Sequence, residues 1–371
     1  MNNLKLLIAG GGTGGHINPA IAIANEFSNT YKDSEILFVG TRSGLESELV
    51  PKAGYDIKFI NVEGFLRIKS FYNLIVAGKF ATSLLKCIAI IKKFKPDIVV
   101  GTGGYVSAPV VLAANYLKIP TLIHEQNALA GKTTKMLSKY VNKICVAFND
   151  KNVTVYPEKT VVTGNPVRAS FKNADALKAK KELSLDNGLK TVLCVSGSLG
   201  AQKISEYMTD YIKNNYRDIK YNLIVVTGDL YYEDVMNALK EAYINLDGTN
   251  IQIKNYIYDM EKYLAAADVV ISRSGAIFLS EIAYLGKPSV LIPSPNVAEN
   301  HQEINADRYV NMKAAVKIKE NELSKDILKE TIEGLIYDEK KLTMMSLNAK
   351  KMSVDDSAAI ILKEIKKILD K

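Results

Sequence analysis

The 371-residue chain has few of the residues that build disulfide frameworks or metal sites. Its three cysteines, Cys87, Cys145 and Cys194, are odd in number, far apart and set in apolar runs. This usage is typical of small buried hydrophobes in a reducing compartment, and it excludes a disulfide scaffold. No spacing matches a contiguous zinc motif. We therefore predict neither a metal site nor a cofactor.

Long hydrophobic segments without interruption are also scarce. One lysine and then four apolar residues precede the first glycines, which is too short for a signal-peptide core. The uncharged stretch 98–117 contains three glycines, Pro109 and Asn115. It therefore fits a strand, a glycine turn and a helix better than one membrane-spanning helix. With 47% apolar and 24% charged residues, we expect a soluble globular protein.

Acidic residues are under-represented in the first half of the chain. Residues 1–164 hold 19 lysines and arginines against 11 aspartates and glutamates, whereas residues 165–371 hold 29 of each. The whole net charge of +8 therefore lies in the first half. The asymmetry suggests an anionic partner, either a membrane surface or a nucleic acid, with an ordinary basic surface as the alternative.

Short runs of valine, isoleucine and leucine alternate with amphipathic stretches along the chain. One series fills the first half, and a second begins near residue 190, after a break at Gly164 and Asn165-Pro166. Such alternation is typical of parallel sheets covered by helices on both faces. We predict two similar α/β domains, 1–164 and 165–341, and a C-terminal helix at 342–371 that completes the first domain.

The stretch "GGGTGGH" at residues 10–16 satisfies G-x-G-x-x-G through Gly10, Gly12 and Gly15. A dinucleotide site would need an acidic residue at the end of the second strand to bind the ribose. That strand ends in Val-Gly-Thr-Arg (39–42), and Glu46 and Glu48 come only on the following helix. Arg42 suits at best a 2′-phosphate, so NADP binding is the weaker interpretation.

Polar residues mark the turns after several predicted strands. All three histidines, His16, His124 and His301, lie in such segments. Ligands of parallel α/β sheets bind at these carboxyl ends, where helix N-termini offer N–H groups. In the second half, the turn around Ser198 could bind a pyrophosphate, and Glu281, about one and a half turns into a helix, could reach ribose hydroxyls. The second half therefore supplies the better nucleotide site.

Seven segments resemble those of the MurG family, the UDP-N-acetylglucosamine:lipid I N-acetylglucosaminyltransferases of bacterial peptidoglycan synthesis. In order they are "GGGTGGHINPA", "GTGGYVSAP", "HEQNALAGKTTK", "GNPVR", "SGSLGAQ", "SRSGAIFLSEIAYLGKP" and "NHQEINA". The resemblance implies a GT-B fold, with two Rossmann-like domains whose parallel sheets face across a cleft. It also implies inverting transfer of N-acetylglucosamine (GlcNAc) from UDP-GlcNAc to the 4-hydroxyl of N-acetylmuramic acid in lipid I, giving lipid II.

The resemblance carries over to individual residues of the first half. Thr13, Gly14 and Gly15 would belong to the cleft between donor and acceptor. Tyr105 would contact substrate, and Asn127 would hold GlcNAc hydroxyls.

In the second half, the resemblance assigns the donor contacts. Arg168 and Ser198 would meet the phosphates, the backbone of Ile257 would bind the uracil edge, and Gln302 would hold GlcNAc hydroxyls. A further run would cap the pyrophosphate and bind the ribose through its last member: Ala276, Ile277, Phe278, Leu279, Ser280 and Glu281.

His16 stands directly behind the first glycine turn. Glycines let an anionic substrate approach the backbone, and histidine changes charge near neutral pH. We therefore predict that His16 is the general base for the acceptor hydroxyl, with Glu125 as the alternative base. Helix N-termini and Arg168, rather than a divalent ion, would stabilise the departing UDP.

Residues 64–80 combine apolar side chains with cations, including Phe65, Leu66, Phe71, Arg67 and Lys69. This composition fits peripheral docking to an anionic leaflet, here the cytoplasmic face of the cell membrane. A core helix with a solvated basic edge is the alternative, and we expect much of 80–91 to be core. We expect no nucleic-acid partner, because the charges are dispersed and no base-reading module is present. A different acceptor, such as a diacylglycerol, stays open.

Overall fold

The computed structural model describes residues 3–64, 72–197 and 200–370. The chain divides into two compact units. Unit 1 comprises Met1–Arg168 and Val354–Lys371, and unit 2 comprises Ala169–Ser353. Both boundaries lie later in the chain than the 164 and 341 proposed from the sequence.

Unit 1 contains a seven-stranded parallel sheet in the order β3-β2-β1-β4-β5-β6-β7. Its strands are β1 (Lys5–Gly10), β2 (Glu35–Gly40), β3 (Asp56–Phe59), β4 (Ile98–Gly103), β5 (Thr121–Glu125), β6 (Lys143–Val146) and β7 (Thr160–Val162). Five helices follow strands in this part of the chain: α1 (Gly14–Thr30), α2 (Glu46–Lys52), α3 (Tyr72–Phe94), α4 (Gly104–Tyr116) and α5 (Lys132–Leu137).

Helices cover both faces of this sheet. Leu6 and Ile8 of β1 belong to one buried cluster with α1, whereas Leu7 and Ala9 belong to another with α3 and α4. Successive side chains of a strand point to opposite faces, so an uninterrupted apolar run is what a doubly covered strand requires.

Unit 2 repeats this architecture with six parallel strands in the order β10-β9-β8-β11-β12-β13. The strands are β8 (Thr191–Val195), β9 (Asn222–Val226), β10 (Ile251–Lys254), β11 (Val269–Ser272), β12 (Ser289–Leu291) and β13 (Ala315–Lys317). The helices are α6 (Ala176–Glu182), α7 (Gln202–Asn215), α8 (Asp229–Glu241), α9 (Met260–Ala266), α10 (Ala276–Tyr284), α11 (His301–Asn311), α12 (Lys325–Ile336) and α13 (Glu339–Lys351). The predicted pair of parallel-sheet α/β domains is thus confirmed.

The C-terminal segment is two helices rather than the single one expected at 342–371. α13 belongs to unit 2, and α14 (Ser357–Leu369) returns to unit 1, where Ile361 and Ile365 are buried in the cluster that contains α1. Asp356, directly before α14, has a left-handed backbone (φ 54°). The chain therefore turns between the two helices instead of continuing as one.

The uncharged stretch 98–117 forms β4 and α4, as predicted. In the part of the chain that the structure describes, one helix, α3, is long and apolar enough to cross a membrane by length and composition. Core helices of soluble proteins pass the same test, but α3 buries only a narrow stripe of Val76, Ser83, Cys87 and Ile91. The half-buried Phe80, Leu84, Ile88 and Ile90 pack against the same core cluster, so one face of 80–91 belongs to the core and the opposite face is exposed.

Candidate active site

The first glycine turn joins β1 to α1 through Gly11, Gly12 and Thr13. Gly12 has a left-handed backbone (φ 85°), and Thr13 is the extended residue before the helix. A Cβ added at Gly10 would lie 2.0 Å from Thr102 Oγ1, so the end of β4 approaches the turn too closely for any larger residue. The half-buried Gly14 and the exposed Thr13 and Gly15 surround the N-terminus of α1.

His16 lies in the first turn of α1 and is half-buried. Its Nδ1 is 3.1 Å from the Gly11 carbonyl oxygen and 3.4 Å from Thr13 Oγ1. A carbonyl can only accept, so Nδ1 carries the proton, and the lone pair of the neutral ring is on Nε2. The imidazole therefore presents the chemistry of a proton acceptor at Nε2.

Two glycines at the end of β4 make room for this imidazole. A Cβ at Gly103 would lie 2.6 Å from His16 Cδ2, and one at Gly104 would lie 2.3 Å from the Gly11 carbonyl oxygen. Both have positive φ (112° and 75°). Glycine is thus required twice over, by space and by backbone conformation.

Glu46 is a site residue that the sequence reasoning considered only as a ribose ligand. It begins α2, is fully buried, and its Oε2 accepts from Gly12 N–H at 3.0 Å. Its Oε1 accepts from both N–H and Oγ1–H of Thr41, each at 2.8 Å. A carboxylate on the glycine turn opposes the pyrophosphate of a dinucleotide, which weakens the NADP interpretation. A sequence signal for this role was available: Glu46 begins the helix that follows β2, and β2 and its neighbour β1 both end in glycine.

Tyr105, in the first turn of α4, completes this end of the sheet. A Cβ added at Gly12 would lie 3.5 Å from its ring, so the phenol stands next to the glycine turn. Burial raises the pKa of the Tyr105 hydroxyl, and the nearby Glu46 carboxylate raises it further. The structure thus brings together His16, Tyr105 and the glycine turn.

Glu125, at the end of β5, is buried and surrounded by donors. Its Oε1 accepts from the backbone N–H (3.1 Å) and the side-chain amide (3.2 Å) of Asn127. Its Oε2 accepts from Gly131 N–H (3.0 Å) and Thr134 Oγ1–H (2.5 Å). With both oxygens occupied, the geometry suits shaping of the loop and orientation of Asn127 better than proton transfer.

His124 is buried in unit 1, and both of its ring nitrogens are hydrogen-bonded. Its Nε2–H donates to the Gly164 carbonyl at 2.9 Å, and its Nδ1 accepts from the Gln126 amide at 3.0 Å. Burial lowers the pKa of His124, so the ring is held neutral. Its surroundings are those of a structural histidine, and the side-chain amide of Asn165 adds a bond to the Gln126 carbonyl at 3.1 Å.

In unit 2, two helix N-termini are tied together at the carboxyl end of the sheet. Ser274, between β11 and α10, donates through Oγ to the Gln302 carbonyl at 2.8 Å, and its own carbonyl accepts from the Asn305 amide at 3.1 Å. Gln302 Oε1 accepts from Ser294 N–H at 2.9 Å, so its amide would meet a sugar hydroxyl through Nε2. Arg273 pairs with Glu320 and anchors the turn rather than a ligand.

The remaining residues predicted to bind the sugar nucleotide lie on α10 and at Ile257. Glu281 and Ala276 are buried, and Ile277, Phe278 and Ser280 are half-buried on α10. Leu279 is fully buried and its carbonyl accepts from Tyr309 O–H at 2.8 Å, so its side chain belongs to the core. Ile257 is buried between the exposed Tyr256 and Tyr258, whose rings are 4.8 Å apart, so only its backbone suits ligand contact.

Two predicted phosphate contacts, Arg168 and Ser198, differ in what the structure describes. Arg168 is half-buried at the end of the first segment of unit 1, and Ser198 lies outside the described residues. Among the residues that the structure describes, no group of three or more histidine, cysteine, aspartate or glutamate side chains is arranged to hold a metal ion.

Comparisons with known proteins show which family the chain matches. Residues 6–146 match the N-terminal domain model of glycosyltransferase family 28, and residues 191–361 match its C-terminal domain model. A protein of Acetivibrio thermocellus named UDP-N-acetylglucosamine–N-acetylmuramyl-(pentapeptide) pyrophosphoryl-undecaprenol N-acetylglucosamine transferase is 42% identical, over 99% of this chain and 98% of its own. A Listeria monocytogenes protein of the same name is also 42% identical, over 99% of this chain and all of its own.

A solved structure agrees with these sequence matches. The crystal structure of Acinetobacter baumannii MurG matches with a TM-score of 0.77 and 27% identity, covering 99% of this chain and 100% of that one. The resemblance seen in the seven sequence segments is therefore confirmed. The chain belongs to glycosyltransferase family 28 and, within it, to the MurG family of N-acetylglucosamine transferases.

Proposed function

We propose that this protein transfers GlcNAc from UDP-GlcNAc to the 4-hydroxyl of the N-acetylmuramyl residue of pentapeptide pyrophosphoryl-undecaprenol (lipid I), forming lipid II for peptidoglycan synthesis. The observation that carries the proposal is 42% identity along 99% of the chain to transferases of that name. The His16 geometry adds a chemical reason, because it supplies a proton acceptor in a turn built for close substrate approach.

The proposed reaction is a single displacement. His16 Nε2 takes the proton of the acceptor 4-hydroxyl as that oxygen forms a bond to C1 of GlcNAc. The bond from C1 to the UDP oxygen breaks, and UDP leaves with the electron pair. Because attack and departure occur on opposite faces, the α-linked donor gives a β-linked product.

In this proposal, unit 2 binds the donor. The N-terminus of α10 faces the pyrophosphate, where N–H groups and the helix dipole favour negative charge, and Arg168 and Ser198 add phosphate contacts. Glu281 accepts from the ribose hydroxyls, and the backbone of Ile257 binds the uracil edge. Gln302 donates through Nε2 to a sugar hydroxyl. In unit 1, the sequence resemblance assigns GlcNAc hydroxyls to Asn127, whose side-chain amide donates to Glu125.

Unit 1 also carries the surface that we propose for membrane docking. On α3, Leu74, Ile75 and Leu85 are 69%, 55% and 67% exposed. Helices α3, α4 and α5, which pack side by side, contain no aspartate or glutamate. Tyr116 on α4 and Met136 on α5 are also exposed. An apolar surface on helices that carry cations and no acidic residues fits peripheral binding to an anionic leaflet, on the cytoplasmic face of the membrane.

Ion pairing guides the choice of cations for a test of membrane docking. Lys79 pairs with Glu63 at 2.5 Å, so its charge is largely compensated. Phe65, Leu66, Arg67, Lys69 and Phe71 lie outside the described residues. Lys86 and Lys93, which are exposed on α3, are therefore the better cations to test.

The decisive experiment is transfer of labelled GlcNAc from UDP-GlcNAc to a lipid I analogue. We expect a β-1,4-linked product with the wild-type protein and strong loss with His16→Ala. Titration with NADPH and with UDP-GlcNAc tests the dinucleotide alternative. Tight NADPH binding without a response to UDP-GlcNAc, or transfer to a diacylglycerol but not to the lipid I analogue, would overturn the proposal.

A further inference from the structure

One peptide group links Glu46 to His16. The N–H of Gly12 donates to Glu46 Oε2 at 3.0 Å, and the C=O of Gly11 accepts from His16 Nδ1–H at 3.1 Å. These two groups belong to the same planar peptide unit. The orientation that points the N–H at the carboxylate therefore points the C=O at the imidazole.

We propose that Glu46 is a positioning residue for His16 and acts through this peptide. The carboxylate holds the imidazole in its Nδ1–H tautomer and strengthens Nε2 as a proton acceptor. A charge-assisted N–H···O⁻ bond polarises the peptide, and hydrogen bonds in a chain strengthen one another. In many enzymes a carboxylate bonds directly to a histidine to fix its tautomer. Here one peptide stands between the two side chains.

The fold is built around this carboxylate. A Cβ at Gly40 would lie 2.5 Å from Glu46 Cγ, and one at Gly44 would lie 2.2 Å from Oε2. A Cβ at Gly11 would lie 2.6 Å from Oε1. Three glycines thus leave space for a side chain that is fully buried, while Thr41 holds its other oxygen with two donors. The carboxylate is fixed in position by contacts independent of His16.

The electrostatic surroundings of His16 explain why a nearby carboxylate would help it to accept a proton. The N-terminus of α1 carries a partial positive charge and opposes formation of an imidazolium in its first turn. The β4–α4 turn faces the ring with uncharged Gly103 and Gly104, and Tyr105 faces Glu46 from α4. Glu46 contacts the turn through Gly12 N–H and is placed to offset the helix charge, and Glu63 is a second carboxylate that acts on Tyr105. The peptide between Gly11 and Gly12 transmits the effect of the Glu46 charge to the imidazole ring.

The tautomer of His16 can be observed directly. With three histidines in the chain, protein labelled with ¹⁵N-histidine has three imidazoles, and His16→Ala assigns one. We expect His16 in the Nδ1–H tautomer in the wild type and a shift towards Nε2–H in Glu46→Gln. Glu48→Gln, an exposed change on the same helix where Glu48 pairs with Lys52, should leave the His16 signal unchanged.

Two outcomes of this measurement would overturn the proposal. One is a wild-type His16 in the Nε2–H tautomer, a result that stands even if Glu46→Gln fails to fold. The other is an unchanged His16 signal in a folded Glu46→Gln protein with normal UDP affinity. Thr41→Val, which removes a donor from the opposite carboxylate oxygen, should keep the Nδ1–H tautomer.

The catalytic consequence rests on the proposed function. Loss of the hydrogen-bonded partner of a metal-ligating histidine costs about 10–100-fold, and we expect an effect of that order here. Glu46→Gln should therefore lower kcat/KM by that factor and move the acidic limb of the pH–rate profile to lower pH. In a His16→Ala background, Glu46→Gln should cause no further loss. Normal turnover in His16→Ala would refute the proposed base but leave the tautomer result standing. An inactive His16→Ala with a fully active Glu46→Gln would refute the role of Glu46.

Discussion

His16 and Glu125 lie at two strand ends of unit 1 but have different surroundings. The Glu125 oxygens accept four hydrogen bonds, whereas the His16 tautomer places a lone pair on Nε2. We predict that His16→Ala lowers turnover by about 10²–10⁴, the usual effect of a general base, with little change in donor affinity. Single-turnover kinetics and UDP-GlcNAc calorimetry check this. A collapse of donor binding with turnover preserved at saturation would make His16 a donor ligand.

Glu281 is a buried carboxylate on α10. If it accepts from ribose hydroxyls, Glu281→Ala should weaken UDP and UDP-GlcNAc alike by about tenfold or more, because a charge-assisted hydrogen bond contributes roughly 1.5–3 kcal/mol. Calorimetry with both ligands measures this, and Glu241→Gln, an exposed change on α8, is the matched control. Unchanged UDP affinity would make Glu281 a structural residue.

At the scale of elements, α3 offers a test of membrane docking. Residues 18 apart lie on the same side of a helix, so Ile75 and Lys93 share a face, and Lys86 lies close to it. We predict that Lys86→Glu with Lys93→Glu lowers binding to anionic vesicles by at least tenfold, at about 1 kcal/mol per lost cation plus the added repulsion. Turnover on a water-soluble acceptor should not change.

The control for this prediction is Lys340→Glu with Lys351→Glu, an equal charge change on exposed positions of α13 in unit 2. Wild-type binding should also weaken with salt, since the Debye length falls from about 10 Å at 0.1 M to about 3 Å at 1 M. Equal loss of binding in the control pair, or equal loss of activity on the soluble acceptor, would show that α3 is not the docking element.

Elements also show how much the sequence could predict. The central strands of both sheets follow from their apolar runs, because a strand such as β1 is buried on both faces and needs no polar alternation. The short edge strands β3, β7 and β13 have no such run and were not predicted. The boundary between the two C-terminal helices was harder to predict. The chain turns after α13 at Asp356, which has a left-handed backbone, and no glycine or proline marks this turn in the sequence. Packing of α14 on α1 decides that turn, and this packing involves residues more than three hundred positions apart in the chain.

At the scale of the whole molecule, the buried thiols and phenols lead us to expect a loss of stability at alkaline pH. Burial raises the pKa of Cys87 and Cys194 to about 12 and raises those of Cys145, Tyr221 and Tyr309 as well. Unfolded thiols release protons from about pH 9, while the folded ones keep them. The unfolded state then binds fewer protons, so stability falls as pH rises above 9.

Lys287 acts in the opposite direction. Burial lowers its pKa to about 8, so between pH 8 and its ordinary value of 10.5 the unfolded state binds more protons, and the destabilisation caused by burying this lysine decreases as pH rises. One lysine is outweighed by three thiols and the tyrosines. We predict a lower urea midpoint at pH 10.5 than at pH 8.5, and a smaller drop in Cys194→Ala. A midpoint that stays constant or rises would contradict this balance.

The sequence by itself determined the two α/β units, the glycine turns and the family, because these depend on local periodicity, backbone conformation and short motifs. Only the tertiary structure decided what individual polar side chains do. It placed Glu46 against Gly12, enclosed His124 in the interior and surrounded Glu125 with donors. The first two outcomes depend on atoms from distant segments of the chain, whereas the donors around Glu125 come from the residues that follow β5. A carboxylate or an imidazole looks the same in the sequence whether its role is structural or catalytic. Its hydrogen-bond partners and its burial in the folded protein decide which role it has.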